Sequence, residues 1–425
     1  MMSPSDQKDG SCLWLPYTQM QTAVAPLRAV RTYGTRIVLE DGRELVDGIA
    51  SWWTACHGYN HPAIMEAMRE QLARMPHVML GGLVHEPAEK LASRLCAIVP
   101  GAMERVFFSD SGSVAVEVAM KMAIQHWLNR GERRRSKILA FRGGYHGDTF
   151  ATMAVCDPEE GMHSLFQGVL PQHVIADLPC DDASQAMLTD ILKRHGDELA
   201  AILVEPLVQG AGGMRFHAPD VLRRLRVAAD QAGIFLILDE VFTGFGRTGS
   251  MFACEQAGIA ADIVVLSKAL TGGVSPLAAT LANGKVTAAF WSDRPEHALM
   301  HGPTYMGHAL GCAAALASLD LFAQEDRLAQ VAAISAQLEA GLSPCRDSRL
   351  VRDVRVMGAI GVVELDPMPP LADIKARLLE RGVWVRPFRN IIYLTPALVM
   401  EKDDLAHLTG AVCSVIGELK VRKNV

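Results

Sequence analysis

The sequence predicts an α/β protein: a large domain on a mostly parallel central sheet flanked by helices, and a smaller α+β domain built from both chain ends. Three observations predict it. Two short apolar runs, Ile234-Phe-Leu-Ile-Leu-Asp239-Glu240 and Asp262-Ile-Val-Val-Leu-Ser267-Lys268, each stop at an ionisable residue. Uninterrupted apolar runs of this length are strands buried on both faces, as parallel strands are. Through the middle of the chain, strand-like and helix-like segments alternate, which implies right-handed crossovers. Towards both ends this rhythm gives way to hairpin-like and β-rich segments.

The elements follow in order. Thr35 to Asp47 reads as a hairpin with Asp41-Gly42 at its turn. Val106-Phe-Phe-Ser is a strand before a helix from Val114 to Trp127. Lys137-Ile-Leu-Ala-Phe141 is a strand before the glycine-rich Arg142-Gly-Gly-Tyr-His-Gly147. Leu199-Ala-Ala-Ile-Leu-Val-Glu205-Pro, a helix around Leu222 to Gln231 and the two opening strands complete the central set. From Gly311 to about Glu339 the chain is alanine- and leucine-rich and reads as helix. Gly358 to Leu365, Gly382 to Arg386 and Ile391 to Leu394 then form a short β-rich group. The 425 residues exceed one simple core. The expected division is 1–55 as the N-terminal segment of the small domain, 56–310 as the large domain and 311–425 as the rest of the small domain.

Composition narrows the function classes. With 50% hydrophobic and 21% charged residues the chain has an ordinary globular balance. A net charge of −6 argues against nucleic acid as the main partner. Arg133-Arg134-Arg135 reads as a solvated helix end. The first residues, Met1 to Asp9, contain no apolar core of a secretory signal, and no run approaches the ~20 residues of a membrane span. The 9 cysteines are scattered without a C-x-x-C pair, which suits reduced thiols in a cytoplasm. None stands in a turn beside an evident base.

The candidate chemistry lies at strand ends. Ligands of open α/β sheets bind beyond the carboxyl ends of the strands, so Asp239 and Lys268 are expected to share one site. A buried acid and a buried lysine suit pyridoxal phosphate, the lysine as Schiff base and the acid as partner of the pyridine nitrogen. Asp110-Ser111-Gly112-Ser113, between a strand and a helix, offers free N–H groups to a phosphate; a serine helix cap is the competing reading. In Gly143-Gly-Tyr145-His-Gly147-Asp148 the glycines admit a flat ligand and Tyr145 can lie against its ring. His301-Gly302-Pro303-Thr304 is a loop with hydroxyl and backbone donors. Arg386 can fork a carboxylate, or sit in water on an edge strand. Trp52-Trp53, near Tyr17, gives aromatic surface for an extended apolar substrate, or for core or subunit packing. His57 and His61 have the spacing of a helical metal pair, but Gly58 and Pro62 break a helix there, so no metal is expected.

Asp239-Glu-Val-Phe-Thr-Gly-Phe-Gly-Arg-Thr-Gly249 followed by Ser267-Lys268-Ala-Leu-Thr-Gly-Gly273 resembles the signature of class III aminotransferases, pyridoxal-phosphate enzymes of fold-type I. Within that class, further segments resemble the members that aminate 8-amino-7-oxononanoate with S-adenosylmethionine in biotin synthesis. They are Trp14-Leu-Pro-Tyr17-Thr, Asp47-Gly-Ile-Ala-Ser-Trp52-Trp53, His57-Gly-Tyr-Asn-His-Pro62, Asp110 to Met122, Gly144-Tyr-His-Gly-Asp148, His301-Gly-Pro-Thr304 and Val383-Trp-Val-Arg386-Pro-Phe388. The resemblance runs from about Trp14 to about Pro396. It implies that Lys268 is catalytic and carries the cofactor, that Asp239 pairs with the ring nitrogen, that Tyr145 stacks on the ring, and that Gly112 and Ser113 bind the phosphate. Thr304 would reach the phosphate of a neighbouring subunit, implying a homodimer. Tyr17, Trp52, Trp53, Tyr145, Gly302 and Arg386 would bind substrate, with Arg386 on its carboxylate, and Arg247 would lie close by. The chain departs from the pattern at Phe242, where a small residue is usual, and at Val274-Ser275-Pro276. The rival within the class is another ω-aminotransferase using ornithine, 4-aminobutyrate or lysine; Trp52-Trp53 and Arg386 speak against it. From other classes, the rivals are a cofactor-binding protein without turnover and a metal hydrolase.

Overall fold

A computed structural model describes residues 12–159, 163–166, 168–367 and 370–419. The N-terminal stretch read above for a secretory signal lies outside them. The central sheet has seven strands: β4 (Met103–Ser109), β5 (Lys137–Phe141), β6 (Val174–Ala176), β7 (Leu199–Val204), β10 (Phe235–Asp239), β11 (Ile263–Leu266) and β12 (Ala278–Asn283). They stand in the order β4-β12-β11-β10-β7-β5-β6. All neighbours pair in parallel except β12, which runs antiparallel to both β11 and β4. The chain therefore belongs to the α/β class with a mostly parallel sheet.

The apolar runs explain its burial. Phe235 and Ile237 join one hydrophobic cluster with the helix Gly112–Asn129, while Leu236 and Leu238 join another with the helix Pro219–Ala232. A strand whose successive side chains enter two different cores must be apolar throughout. At the end of the run this alternation has a chemical consequence: Asp239 arrives buried, at the carboxyl edge of the sheet.

Both chain ends contribute to a second sheet. Strands β1 (Ala29–Tyr33), β2 (Arg36–Leu39) and β3 (Glu44–Asp47) form an antiparallel meander, with the Asp41-Gly42 turn between the last two. The two-residue strand β15 (Val383–Trp384) adds to β3 in parallel. Strands β13 (Val351–Met357), β14 (Ile360–Leu365) and β16 (Ile391–Leu394) form a separate three-stranded antiparallel sheet, and β8 (Val208–Gln209) with β9 (Arg215–Phe216) makes a small ribbon. The expected C-terminal β group is thus split between two sheets. Its middle member leaves because the exposed edge of β3 offers donors that need partners: Val46 N donates to Gly382 O at 2.9 Å and Gly48 N to Trp384 O at 2.9 Å. This pairing delivers Arg386 to the segment that carries Trp52 and Trp53.

Two further departures have local causes. The alanine-rich stretch is two helices, Ala309–Gln324 and Arg327–Leu342, because the Asp326 side chain accepts Ala329 N at 3.0 Å and starts a new helix. Strand β12, rich in alanine, carries no strong β signal and forms by pairing on both sides. Among the described residues no helix is long and apolar enough to cross a membrane.

Candidate active site

Strands β10 and β11 pair with Asp239 opposite Val265, so Lys268 emerges three residues beyond that partner at the same sheet edge. Lys268 has a left-handed backbone (φ 47°) and opens a short turn to Thr271, followed by Gly272 and Gly273 with φ of 63° and 83°. Its ammonium lies 4.7 Å from the centre of the Trp53 ring. Burial lowers the Lys268 pKa, and the carboxylates of Asp239, Glu205 and Asp148 oppose that shift. A lysine held this way is more readily a neutral nucleophile or base than one in water.

Asp239 is fixed from two sides. Its Oδ1 accepts Val241 N at 3.1 Å, and its Oδ2 lies 2.8 Å from His146 Nδ1. Glu205, directly beyond the end of β7, accepts Tyr145 N at 2.9 Å and Gly210 N at 3.0 Å. Burial pushes its pKa up to about 7. His146 and Glu205 were not singled out in the sequence. Glu205 had the signal that marked Asp239, an acid ending a buried apolar run, whereas only the fold brings His146 to Asp239.

The helix Gly112–Asn129 begins beside these groups. Ser111 caps it by accepting Val114 N at 3.3 Å, so the cap reading holds for that residue. A side chain at Gly112 would meet Val241 Cγ1 at 2.8 Å. The Ser113 hydroxyl accepts Thr149 N at 3.0 Å and contacts the Thr149 and Thr152 hydroxyls at 2.8 and 3.0 Å. The backbone N–H groups of Gly112 and Ser113 belong to the first helical turn, where anions are favoured.

A cavity of about 590 Å³ opens from Lys268. Six of the expected residues line it: Tyr17, Trp52, Trp53, Tyr145, Lys268 and Arg386. So do Phe388, the last residue of the segment that carries Arg386, and Lys375 and Tyr393, which the sequence did not mark. The Tyr145 hydroxyl donates to Asp148 Oδ1 at 2.8 Å and lies 3.3 Å from the Tyr17 hydroxyl, which also donates to Asp148. Asp148 is therefore the shared acceptor of a tyrosine pair. Arg386 stacks 4.0 Å from the centre of the Trp52 ring, and among the described residues it has no carboxylate partner. Partial burial lowers its pKa.

Ala50, Ser51, Trp52 and Trp53 form a single left-handed turn, with φ of 46°, 49°, 60° and 77°. Left-handed helical backbone costs roughly 1–2 kcal/mol for each L-residue, so this turn stores strain where the two indoles enter the cavity. Phe242 packs on Trp53 with ring centres 4.4 Å apart. The unusual residue in the motif thus acts as a buttress behind the pocket wall. Val274 lies away from this cavity, beside Gly272, Gly273 and Tyr59.

Other expected residues are not brought together within one chain. Gly302 and Thr304 are exposed and lie outside the cavity lining. Arg247 is fully buried and donates to Ala359 O at 3.0 Å and Pro396 O at 2.7 Å; it ties the motif loop to the C-terminal segments and does not line the cavity. His57 meets Ser318 Oγ at 3.0 Å and accepts from Arg327 Nε at 3.1 Å. Among the described residues no cluster of three or more His, Cys, Asp or Glu is arranged to hold a metal.

The family model described as aminotransferase class-III matches residues 17–416. This chain belongs to the class III aminotransferases. The enzyme is 45% identical to an adenosylmethionine-8-amino-7-oxononanoate aminotransferase of Mycobacterium leprae, with 96% of each chain covered. It is 32% identical to the protein of the same name in Saccharomyces cerevisiae, over 98% of this chain and 96% of that one. A crystal structure of the protein of that name from Methanocaldococcus jannaschii superposes with a TM-score of 0.92 at 31% identity, covering 96% of this aminotransferase and 98% of that chain. A pyridoxal-phosphate-bound amine transaminase from an uncultivated Pseudomonas species gives 0.89 at 32% identity, over 96% and 98%.

Proposed function

We propose that this class III aminotransferase converts 8-amino-7-oxononanoate to 7,8-diaminononanoate in biotin synthesis, with S-adenosylmethionine as amino donor and pyridoxal phosphate as cofactor. The observation that carries the reading is the Arg386 guanidinium: stacked on Trp52 and without a carboxylate partner among the described residues, it shares one largely apolar cavity with Lys268. An extended substrate with a reacting group at one end and a carboxylate at the other fits such a cavity. The relatives named above support the same substrate and donor.

The residues present fit the cofactor. Gly112 and Ser113 offer their N–H groups to its phosphate at a helix start, Asp239 offers a buried carboxylate to a protonated ring nitrogen, and Tyr145 offers a ring face. When bound, pyridoxal phosphate supplies an electron sink and carries the amino group between donor and acceptor. The protein does the rest. Lys268 Nζ takes the proton from the amine-bearing carbon of the donor and returns one in the second half-reaction. Asp239, positioned by His146, keeps a positive charge on the ring nitrogen favourable. Trp52, Trp53 and Tyr17 exclude water and align the chain of the substrate, and Arg386 binds its carboxylate.

The remaining assignments rest on the same reading. Thr304 and Gly302, exposed in a single chain, would complete the site of a partner in a homodimer. The split of the sheets supports a large domain over 56–310 and a small one from 1–55 and 311–425. A cytoplasmic location is in keeping with the cysteine pattern.

The deciding experiment follows cofactor absorbance in the donor half-reaction with S-adenosylmethionine, lysine and 4-aminobutyrate in turn. Conversion to the amino form by S-adenosylmethionine, then reversal by 8-amino-7-oxononanoate, is expected. Conversion by 4-aminobutyrate alone would overturn the assignment in favour of a general ω-aminotransferase, and no spectral change with any donor would favour a binding protein.

A further inference from the structure

A buried carboxylate stands behind the strained turn. Asp47 ends β3 and is 2% exposed. Its Oδ1 accepts Ile49 N at 2.9 Å; its Oδ2 accepts Ser51 N at 2.7 Å and the Tyr59 hydroxyl at 2.6 Å. Among the described residues no lysine or arginine pairs with it. Burial raises its pKa, and the donors from Tyr59 and the turn oppose that. The charge is thus held by the backbone that it organises.

That backbone could not hold its shape on local grounds. None of the four left-handed residues is glycine, and Ser51 and Trp52 have φ of 49° and 60°. The turn closes through Trp53 N to Ile49 O at 2.8 Å and Thr54 N to Ala50 O at 2.9 Å. Its two flanks are tied to the C-terminal segments, on one side by Gly48 N on Trp384 O at 2.9 Å and Thr395 N on Gly48 O at 2.8 Å, and on the other by Leu398 N on Cys56 O at 2.8 Å. The carboxylate acts inside this frame, on the residues just before the tryptophans. Those tryptophans meet two of the cations that line the cavity, Trp52 at Arg386 and Trp53 at Lys268.

We propose that Asp47 is a positioning residue of this cavity: its carboxylate fixes the left-handed turn Ala50–Trp53 and so sets where Trp52 and Trp53 stand against Arg386 and Lys268. The consequence for substrate rests on the proposed function; the consequence for the indoles does not. Replacing the carboxylate by an amide leaves one acceptor oxygen and turns an N–H₂ group toward donors that need an acceptor. The turn then loses the bond that offsets its conformation.

The test labels the full-length holoenzyme with 5-fluorotryptophan and assigns the lines of Trp52 and Trp53 with Trp52→Phe and Trp53→Phe. In Asp47→Asn the Trp52 and Trp53 lines move while those of Trp127 and Trp291 stay, and KM for 8-amino-7-oxononanoate rises by about tenfold, the equivalent of one lost interaction. Adding Ser51→Gly brings lines and KM back toward the parent, since glycine adopts positive φ without strain. Unmoved Trp52 and Trp53 lines would overturn the proposal, as would equal movement at Trp127 and Trp291 or a Ser51→Gly change that rescues nothing. Should Asp47→Asn fail to fold, Tyr59→Phe removes one donor alone; it must move the same two lines by less, and unmoved lines there count against the role. A parent enzyme that does not turn over the keto acid would sink the substrate reading, while the fluorine lines still decide on Asp47.

Discussion

His146 Nδ1 and Asp239 Oδ2 stand 2.8 Å apart, with both side chains almost wholly buried. Among the described residues that carboxylate has one other hydrogen bond, from Val241 N to Oδ1 at 3.1 Å. His146→Ala therefore leaves Asp239 half satisfied. A hydrogen bond to a charged group contributes about 1.5–3 kcal/mol, so kcat should fall roughly tenfold to a hundredfold. His146→Gln, which keeps an N–H donor, should recover part of that loss. Steady-state kinetics of both variants check this, and equal kcat for parent and His146→Ala would contradict it.

Arg386 is expected to act on one half-reaction. Arg386→Ala removes a guanidinium that has no carboxylate partner among the described residues. The KM for the keto acid should rise by roughly tenfold to a hundredfold, from the same range for charged hydrogen bonds, with a smaller effect on the donor half-reaction. An equal effect on both halves would show that Arg386 is not the carboxylate clamp.

Glu205 makes a prediction about pH. Its pKa is raised from the ordinary 4.5 to about 7, chiefly by burial. The folded state holds this proton more tightly than the unfolded chain. Its stabilising contribution is therefore complete below about pH 4.5 and is lost as pH rises to about 7. The difference in pKa corresponds to on the order of 3 kcal/mol. His57 has the opposite sign: burial depresses its pKa to about 3, so its effect weakens the fold as pH falls below its ordinary value. Because His57 is common to both proteins, urea unfolding of parent and Glu205→Gln from pH 4.5 to 7.5 isolates the glutamate. The variant should gain relative to the parent with rising pH, and parallel profiles would contradict the burial argument.

Phe242 and Gly210 should be energetically coupled. A Cβ at Gly210 would stand 2.9 Å from Phe242 Cδ1, and Phe242 in turn packs on Trp53. Gly210→Ala should destabilise by about 1–3 kcal/mol, the usual cost of overpacking. Phe242→Ala should cost about 3–5 kcal/mol, as a large-to-small core change does. In the double variant the alanine at 210 fits the space left by the ring, so the two losses should sum to clearly more than the measured total. Thermal or denaturant unfolding of the four proteins closes the cycle.

Much of the site was legible because it obeys local rules. Asp239 and Lys268 end apolar runs, and a parallel sheet sends such ends to one edge. Gly112 precedes a helix, and the Asp41-Gly42 turn announces a hairpin. Other residues carry no local mark. His146 sits in a glycine-rich stretch that was noted for Tyr145, and Lys375 is one lysine on an amphipathic helix until the cavity forms beside it. The helix break at Asp326 was hidden in an alanine-rich run because a single capping carboxylate outweighs many weak helix preferences.

Periodicity, run length and turn chemistry are properties of neighbouring residues, so the chain alone was enough for the α/β class, the acid–lysine pair and the family motifs. Which strand pairs with which, and which side chains then meet, depend on contacts between residues distant in sequence. Strand β15 leaves the C-terminal group for β3, and this brings Arg386 to Trp52. The same junction holds Ala50–Trp53 in a conformation that its own residues disfavour. No local propensity could announce that turn, because it exists only where Asp47, Tyr59 and the C-terminal strands surround it.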